Sequence, residues 1–338
     1  DERGPDRRDR ELRRDLPQPA QLRLGTDHGP AGTGHYLNPG SNRLGPIACV
    51  TVRTPSLAAT EAAYSRFLRY RAVGRSPVSR SQATLWGMAG LAGTPALLMA
   101  PEAATDFVFR FIELPAEPGY RAFTRHGWHA AELIVGRVDS LADQLRESPF
   151  EIVAPPLDLS FCPDIRAMQI RGPGGELLYL TEFKKPVPGL VSPPARCAVD
   201  RTFIVIVGGG SLDDMQNYFN GTFGVPRAPV MDSRVQTMAL EFGLSREHRF
   251  RIAALPLLDR CYIEADEMPA QARPLPPKQQ ELPAGIAMVS FFAETIAGVQ
   301  PGALLAAPPD DGPPYAGASG VACVRGAAGE LLELIRRP

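Results

Sequence analysis

The sequence predicts an α+β protein of four βαβββ units, arranged as two tandem domains of two units each. Three observations carry this reading. The stretch Arg171-Gly-Pro-Gly-Gly-Glu-Leu-Leu-Tyr-Leu180 returns as Arg325-Gly-Ala-Ala-Gly-Glu-Leu-Leu-Glu-Leu334, with seven of ten positions identical and an offset of 154 residues. A match that dense marks two related halves. A strand-like run, a helix-spaced run and further strand-like runs then recur in that order along the chain. Proline- and glycine-rich segments separate the blocks.

Composition bounds the function classes. The chain has 338 residues, 44% hydrophobic and 22% charged, with a net charge of −1. Length and composition are those of a globular protein of two domains. The charge balance gives no footprint for nucleic acid or an anionic membrane surface. No apolar run approaches the roughly 18 residues that span a bilayer. Five cysteines (49, 162, 197, 261 and 323) are scattered without a Cys-x-x-Cys pair, which predicts a reducing, cytoplasmic setting. The expected partner is a small-molecule substrate. The residues are compatible with a monomer or a homodimer.

Residues 1–45 alternate acid and base, then turn rich in Gly and Pro around His28 and His35. Such composition buries no core and predicts an N-terminal extension. It lacks the apolar region of a signal peptide. The first domain is expected over 46–184, with units 46–114 and 126–184. Its first unit has a strand over 47–53, a helix over 57–68 with Ser56 as N-cap, and strands over 83–88, 96–99 and 107–114. Its second has a strand over 128–135, a helix over 138–146, and strands over 150–153, 166–171 and 177–183. A linker over 185–197 leads to the second domain, 198–338, with units 198–267 and 284–336. There the strands are expected over 202–207, 235–242, 249–254 and 260–265, with a helix over 212–219. The fourth unit opens at 286–292, departs from the pattern over 295–317 and closes on the repeat.

This order resembles the vicinal oxygen chelate superfamily, the group of glyoxalase I, bleomycin-resistance proteins and type I extradiol dioxygenases. Cys49-Val-Thr-Val-Arg-Thr-Pro-Ser-Leu57 is similar to the family's opening His-Val-x-Leu-x-Val-Pro-Asp-Leu, and Ala62-Ala-Tyr64 to its Ala-x-Phe-Tyr. The glycine turn before Leu177 is similar to its Asp-Pro-Asp-Gly-Asn-x-x-Glu-Leu. The resemblance covers about residues 46–335 and implies curved half-barrel sheets around a pocket. It also implies metal ligands on the first and last strand of each unit.

The ligand positions do not hold the residues such a metal needs. Cys49 takes the first, Glu113 fits the last-strand carboxylate of the first unit, and Tyr179 takes that position in the second. If Leu133 and Val135 pack under the helix, Ala130 and Glu132 face the pocket and His129 points away; a one-residue slip reverses this. No cofactor is therefore expected, the alternative being a divalent metal at Glu113 and His129. A zinc site at His126, His129 and Glu132 lacks a fourth ligand. In the second half, Glu264 and Glu333 fit the carboxylate positions and are placed to pair across a pocket. That half is read mainly as structural support or as a second apolar cavity.

The chemistry left is acid–base. Glu113, beside Phe109 and Phe111 on one strand face, is the expected general base or acid, Tyr179 the donor to a developing oxyanion and His129 a second proton carrier. Arg53, Cys49, Thr51, Trp86, Phe109, Phe111 and Glu132 are the expected substrate contacts. The leading expectation is thus a glyoxalase-fold enzyme acting on a small oxygenated or aromatic metabolite without a metal, as a lyase, isomerase or hydratase, with its pocket in the first domain. One alternative is a protein that sequesters an aromatic ligand without chemistry. Another is a metal-dependent glyoxalase or extradiol dioxygenase with displaced ligands.

Overall fold

The computed structural model describes residues 44–337, apart from 160–161, 188–189, 277–280, 297–303 and 311. The expected extension, with His28 and His35, lies outside the described residues but for its last two positions. The first unit runs β1 (Leu44–Thr54), α1 (Leu57–Phe67), β2 (Arg71–Arg75), α2 (Arg80–Leu85), β3 (Ala96–Ala100) and β4 (Val108–Glu113). The second runs β5 (Gly127–Val135), α3 (Val138–Leu145), β6 (Glu151–Leu159), β7 (Cys162–Arg171) and β8 (Leu177–Phe183). The third runs β9 (Val199–Gly209), α4 (Leu212–Phe223), β10 (Met231–Ser233), α5 (Gln236–Glu241), β11 (Phe250–Pro256) and β12 (Tyr262–Glu267). The fourth has β13 (Gly285–Ala293), β14 (Leu304–Ala306), β15 (Gly320–Arg325) and β16 (Leu331–Arg336).

Two eight-stranded sheets result, each curled into a half-barrel, as expected for the fold class. The unit pairing differs from expectation. One sheet has the order β14-β15-β16-β13-β1-β4-β3-β2 and joins units one and four. The other has the order β10-β11-β12-β9-β5-β8-β7-β6 and joins units two and three. The expected blocks 46–184 and 198–338 therefore do not coincide with the sheets. The physical reason is that β1 pairs antiparallel with β13, and β5 with β9. The internal repeat identifies which units are alike, not which first strands meet.

Two element assignments also change. Residues 83–88 belong to α2 and the turn after it, because Ser79 and Gln82 cap each other reciprocally at the helix start. Residues 236–241 form α5 rather than a strand. In both units the outer strand lies earlier, at β2 and β10. The Ser56 cap is present: its hydroxyl accepts from the Ala59 amide at 3.2 Å.

The helix-covered faces of both sheets share one core. Val50, Phe109, Leu133, Val205, Phe219 and Phe291 all belong to it. Phe109 and Phe111 pack edge-on against Tyr64 of α1, at 5.4 and 4.8 Å between ring centroids, so they line this core. The opposite faces carry separate apolar clusters, the largest on each sheet being one around Ile112 and Met288 and one around Ala130 and Ile206. These two troughs are where a ligand site can be built.

The phase of β4 places Glu113 on the helix side. Its Oε2 accepts from the Leu57 amide at 2.8 Å, at the start of α1. Glu182 does the same for Val138 of α3 at 2.9 Å, and Glu267 for Leu212 of α4 at 3.0 Å. Three units thus use a last-strand carboxylate to satisfy the free amide and positive end of their own helix. The shared Glu of the repeat has a similar task. Glu176 accepts from the Gly174 amide and Glu330 from the Ala328 amide, both at 2.8 Å, fixing the glycine turn. Replacing Glu113 by Ala is expected to cost about 1 kcal/mol of stability in urea unfolding, as loss of a helix cap does. A loss of ligand binding at constant stability would contradict that role.

Candidate functional site

The trough of the first sheet gathers Cys49 and Thr51 from β1, Arg110 from β4, Ser290 from β13 and Glu333 from β16. Period two puts these residues on the same face, and the strand registers set Thr51 beside Arg110 and Ser290 beside Glu333. Glu333 is fully buried and accepts four hydrogen bonds. These come from Ser290 at 2.6 Å, Tyr315 at 2.7 Å, Trp86 Nε1 at 2.9 Å and Arg110 Nη2 at 3.2 Å. Arg110 also donates to the Tyr315 hydroxyl at 2.7 Å and to Thr51 at 3.3 Å, and its guanidinium lies over the Trp86 and Tyr315 rings. Burial alone would raise the Glu333 pKa, but Arg110 and the hydrogen bonds outweigh it and hold the carboxyl below its usual value. Burial likewise pulls Arg110 down, and Glu333 more than restores it. Both groups stay charged, and the room left beside them is about 20 Å³, enough for one water.

The trough of the second sheet is the opposite case. Glu132 of β5, Tyr179 and Thr181 of β8, and Glu264 and Asp266 of β12 share its face. Glu132 accepts from the Thr181 hydroxyl at 2.6 Å. The Tyr179 hydroxyl, Glu264 Oε1 and both Asp266 oxygens are buried without a hydrogen-bond partner. Burial pushes Glu132 up to about 7, against the pull of Thr181, and Asp266 up to about 8. Glu264 rises well above its usual value through burial and then through Asp266 and Glu132. Tyr179 rises too, through burial and these same three carboxyls. Ile134 and Phe183, from the same strands, line an open groove of about 610 Å³ whose lining includes none of Glu132, Tyr179, Glu264 and Asp266.

The sequence-predicted residues divide between these places. Cys49, Thr51 and Trp86 meet in the first trough. Tyr179 and Glu132 meet in the second, with Glu264. The expected pairing of Glu264 with Glu333 does not occur, because they sit on different sheets. Glu113 and His129 are likewise on different sheets, so the alternative metal pair is not assembled. Leu133 and Val135 do pack in the shared core and Ala130 faces the trough, so the first of the two registers holds. His129 sits at a bulge in β5, where its Nδ1 accepts from the Phe123 amide at 3.2 Å and its Nε2 lies 3.3 Å from the Met268 sulfur. Burial, then His126 and Arg125, push its pKa down to about 3, which leaves it neutral and a poor proton acceptor. Arg53 donates to the Pro115 carbonyl at 2.8 Å and the Leu282 carbonyl at 3.1 Å, and so ties two linkers to the end of β1 instead of reaching a pocket.

Sequence reasoning missed Arg110, Ser290, Tyr315, Thr181 and Asp266. A signal was present for the first. Counting back three residues from each helix-start carboxylate, Glu113, Glu182 or Glu267, lands on Arg110, Tyr179 and Glu264. These are the last-strand positions that face the troughs, and Glu333 is their equivalent in the fourth unit.

The metal that the fold implies does not suit these donors. In the first trough a permanent guanidinium holds one last-strand position, and its counter-ion Glu333 holds the other. Among the described residues, no group of three or more His, Cys, Asp or Glu is placed to hold a metal ion. No helix among the described residues is long and apolar enough to cross a membrane.

No protein-family profile and no curated protein sequence matches the chain. Solved structures do. Glyoxalase I from Zea mays superposes with a TM-score of 0.53 and 13% identity, over 86% of this chain and 92% of that one. A putative dioxygenase from Bacillus subtilis subsp. subtilis str. 168 superposes with a TM-score of 0.55 and 12% identity, over 88% of this chain and 86% of that one. Identities this low speak to the fold alone, and the fold is that of the vicinal oxygen chelate superfamily.

Two outcomes follow from the two troughs. Glu333→Ala leaves Arg110 buried without its counter-ion and is expected to cost about 3–5 kcal/mol in urea unfolding. The double variant Arg110→Met/Glu333→Leu should cost less than that single change. In the second trough the folded protein holds protons that the unfolded chain has already released near pH 5. Stability is therefore fully present below the ordinary carboxylate range and falls as pH rises through about 7 and 8. In Asp266→Asn, unfolding measured from pH 5 to 9 should show a shallower slope, by up to about 1.4 kcal/mol per pH unit.

Proposed function

We propose that the chain is an enzyme that transfers a proton on a small oxygenated molecule, in the trough of the sheet built by units two and three. The observation that carries this is the set of unpartnered buried oxygens of Tyr179, Glu264 and Asp266 beside Glu132. Buried polar groups are nearly always paired, so such a cluster marks a place meant to receive polar atoms. The carboxyls also differ in strength. Glu132, near 7, is partly ionised at neutral pH and can accept a proton. Glu264, held well above its usual value, stays protonated and can donate. Pairs of carboxyls pushed apart in this way divide the acid and base roles.

The chemistry follows from those roles. Glu132 removes a proton from a carbon next to a carbonyl. Glu264 and the Tyr179 hydroxyl hydrogen-bond to the carbonyl oxygen as it gains negative charge. Return of the proton to the same carbon completes an exchange; its delivery to the former carbonyl carbon, as a neighbouring hydroxyl gives its own proton back to Glu264 and becomes the new carbonyl, completes an isomerisation; its delivery to a hydroxyl on the next carbon, which then leaves as water, completes an elimination. The reading keeps the expected acid–base class. It moves the pocket from the expected first domain, units one and two, to the sheet of units two and three, and replaces Glu113 and His129 as proton carriers. The metal-free chemistry and the substrate class remain part of the proposal.

Proton NMR of small 2-oxo and 2-hydroxy carbonyl compounds in D₂O provides the test. The protein should speed exchange of a carbon-bound hydrogen in at least one. Glu132→Gln and Tyr179→Phe should each slow that exchange by about 100-fold or more, while binding persists. Saturable binding with no exchange would favour the sequestering alternative. Exchange unchanged in both variants would remove these residues from the mechanism.

A further inference from the structure

A second cleft lies beside the 610 Å³ groove, with which it shares Gly136 and Ala195. It opens where the end of α1, the start of α3 and the segment entering β9 meet. Its volume is about 300 Å³, at the lower end of the range for small-molecule sites. Phe67, Leu141 and Val199 give it apolar walls, and Arg69, Arg137 and Arg196 also line it.

The three arginines differ. Arg196 is saturated, with Asp106 at 2.7 and 3.0 Å and Asp200 at 2.7 Å. The side chains of Arg69 and Arg137 have no hydrogen-bond or ion-pair partner among the described residues. Arg69 follows the end of α1 at φ 56, a conformation that sets its direction apart from the helix. Arg137 is the N-cap residue of α3 and makes no side-chain cap bond. A cation there is unfavourable, because it adds to the positive end of the helix. Of the two acids at this helix start, Glu182 holds the Val138 amide at 2.9 Å and Asp139 is paired with Arg166 at 2.8–3.1 Å, so neither is paired with the Arg137 side chain. Two guanidiniums without a side-chain partner therefore line one apolar-walled cleft.

We propose that this cleft binds a small organic anion, a carboxylate, sulfonate or phosphate carried on an apolar body. The anion would sit between Arg69 and Arg137, and the body against Phe67, Leu141 and Val199. Guanidinium is the side-chain group best matched to planar recognition of such anions. The site is independent of the proton-transfer reading, since none of its residues lies in that trough.

Cys197 supplies a local reporter. It lines the cleft and is half-buried, as is Cys162, which does not line the cleft, whereas Cys49, Cys261 and Cys323 are buried. The probe is 1-anilinonaphthalene-8-sulfonate, a sulfonate on an aromatic body, added to the full chain. Modification by N-ethylmaleimide would be followed peptide by peptide. Near-saturating probe should slow modification of Cys197 by about tenfold and leave Cys162 unchanged. The double variant Arg69→Ser/Arg137→Ser changes only exposed side chains. It should weaken probe binding by about tenfold or more, with Arg137→Lys in between. Unchanged labelling of Cys197, or equal affinity in the double variant, overturns the proposal.

Discussion

Antiparallel pairing of first strands is the constraint on which this structure rests. β1 meets β13 and β5 meets β9 at the middle of each sheet. Each first strand also runs parallel to the last strand of its own unit. Once those registers are set, every side chain near the middle of a sheet is assigned to the shared core or to a trough. A slip by one residue would exchange the two sets. The cost of that exchange is high here because β5 and β13 are buried at every position, so both faces must be filled.

That same burial explains what the sequence could and could not tell. The four units, the order of their strands and the Ser56 cap were legible, since they depend on neighbours within a few residues. The phase of β4 was not, because Phe109 and Phe111 look alike whether they face a core or a pocket. Glu113 between apolar residues suggested a desolvated base, but its partner, the Leu57 amide, lies 56 residues away. The partner of each unit was hidden for a stronger reason. Pairing of β1 with β13 is a contact between segments more than two hundred residues apart, and no local propensity encodes it. The α2 region was misread because Ser79 and Gln82, a capping pair, lie just before a run with high strand propensity.

The duplicated units have been put to different physical uses at equivalent positions. Arg110, Tyr179, Glu264 and Glu333 all come from last strands and all face a trough. In the first sheet the two such residues are of opposite charge, and they neutralise each other within a set of hydroxyl and indole donors. A buried pair of this kind is self-sufficient, with little to gain from a ligand. In the second sheet the two are a phenol and a carboxyl, with two more carboxyls nearby. They cannot neutralise each other, and they lower their energy by holding protons.

That contrast bears on where chemistry belongs in this molecule. A saturated network such as the one around Glu333 fixes geometry: moving any member breaks several bonds at once. It suits a scaffold, and the space of one water beside Arg110 matches that use. An unsaturated set such as Glu132, Glu264, Asp266 and Tyr179 costs folding energy at neutral pH, and that cost rises with pH. Packing gives no return for it, since apolar residues of the same volume would fill the trough better. Groups kept protonated next to a group near neutrality are instead what moving a proton requires. The energetic burden and the chemical capacity of the second trough therefore have one source, the burial of acids without partners.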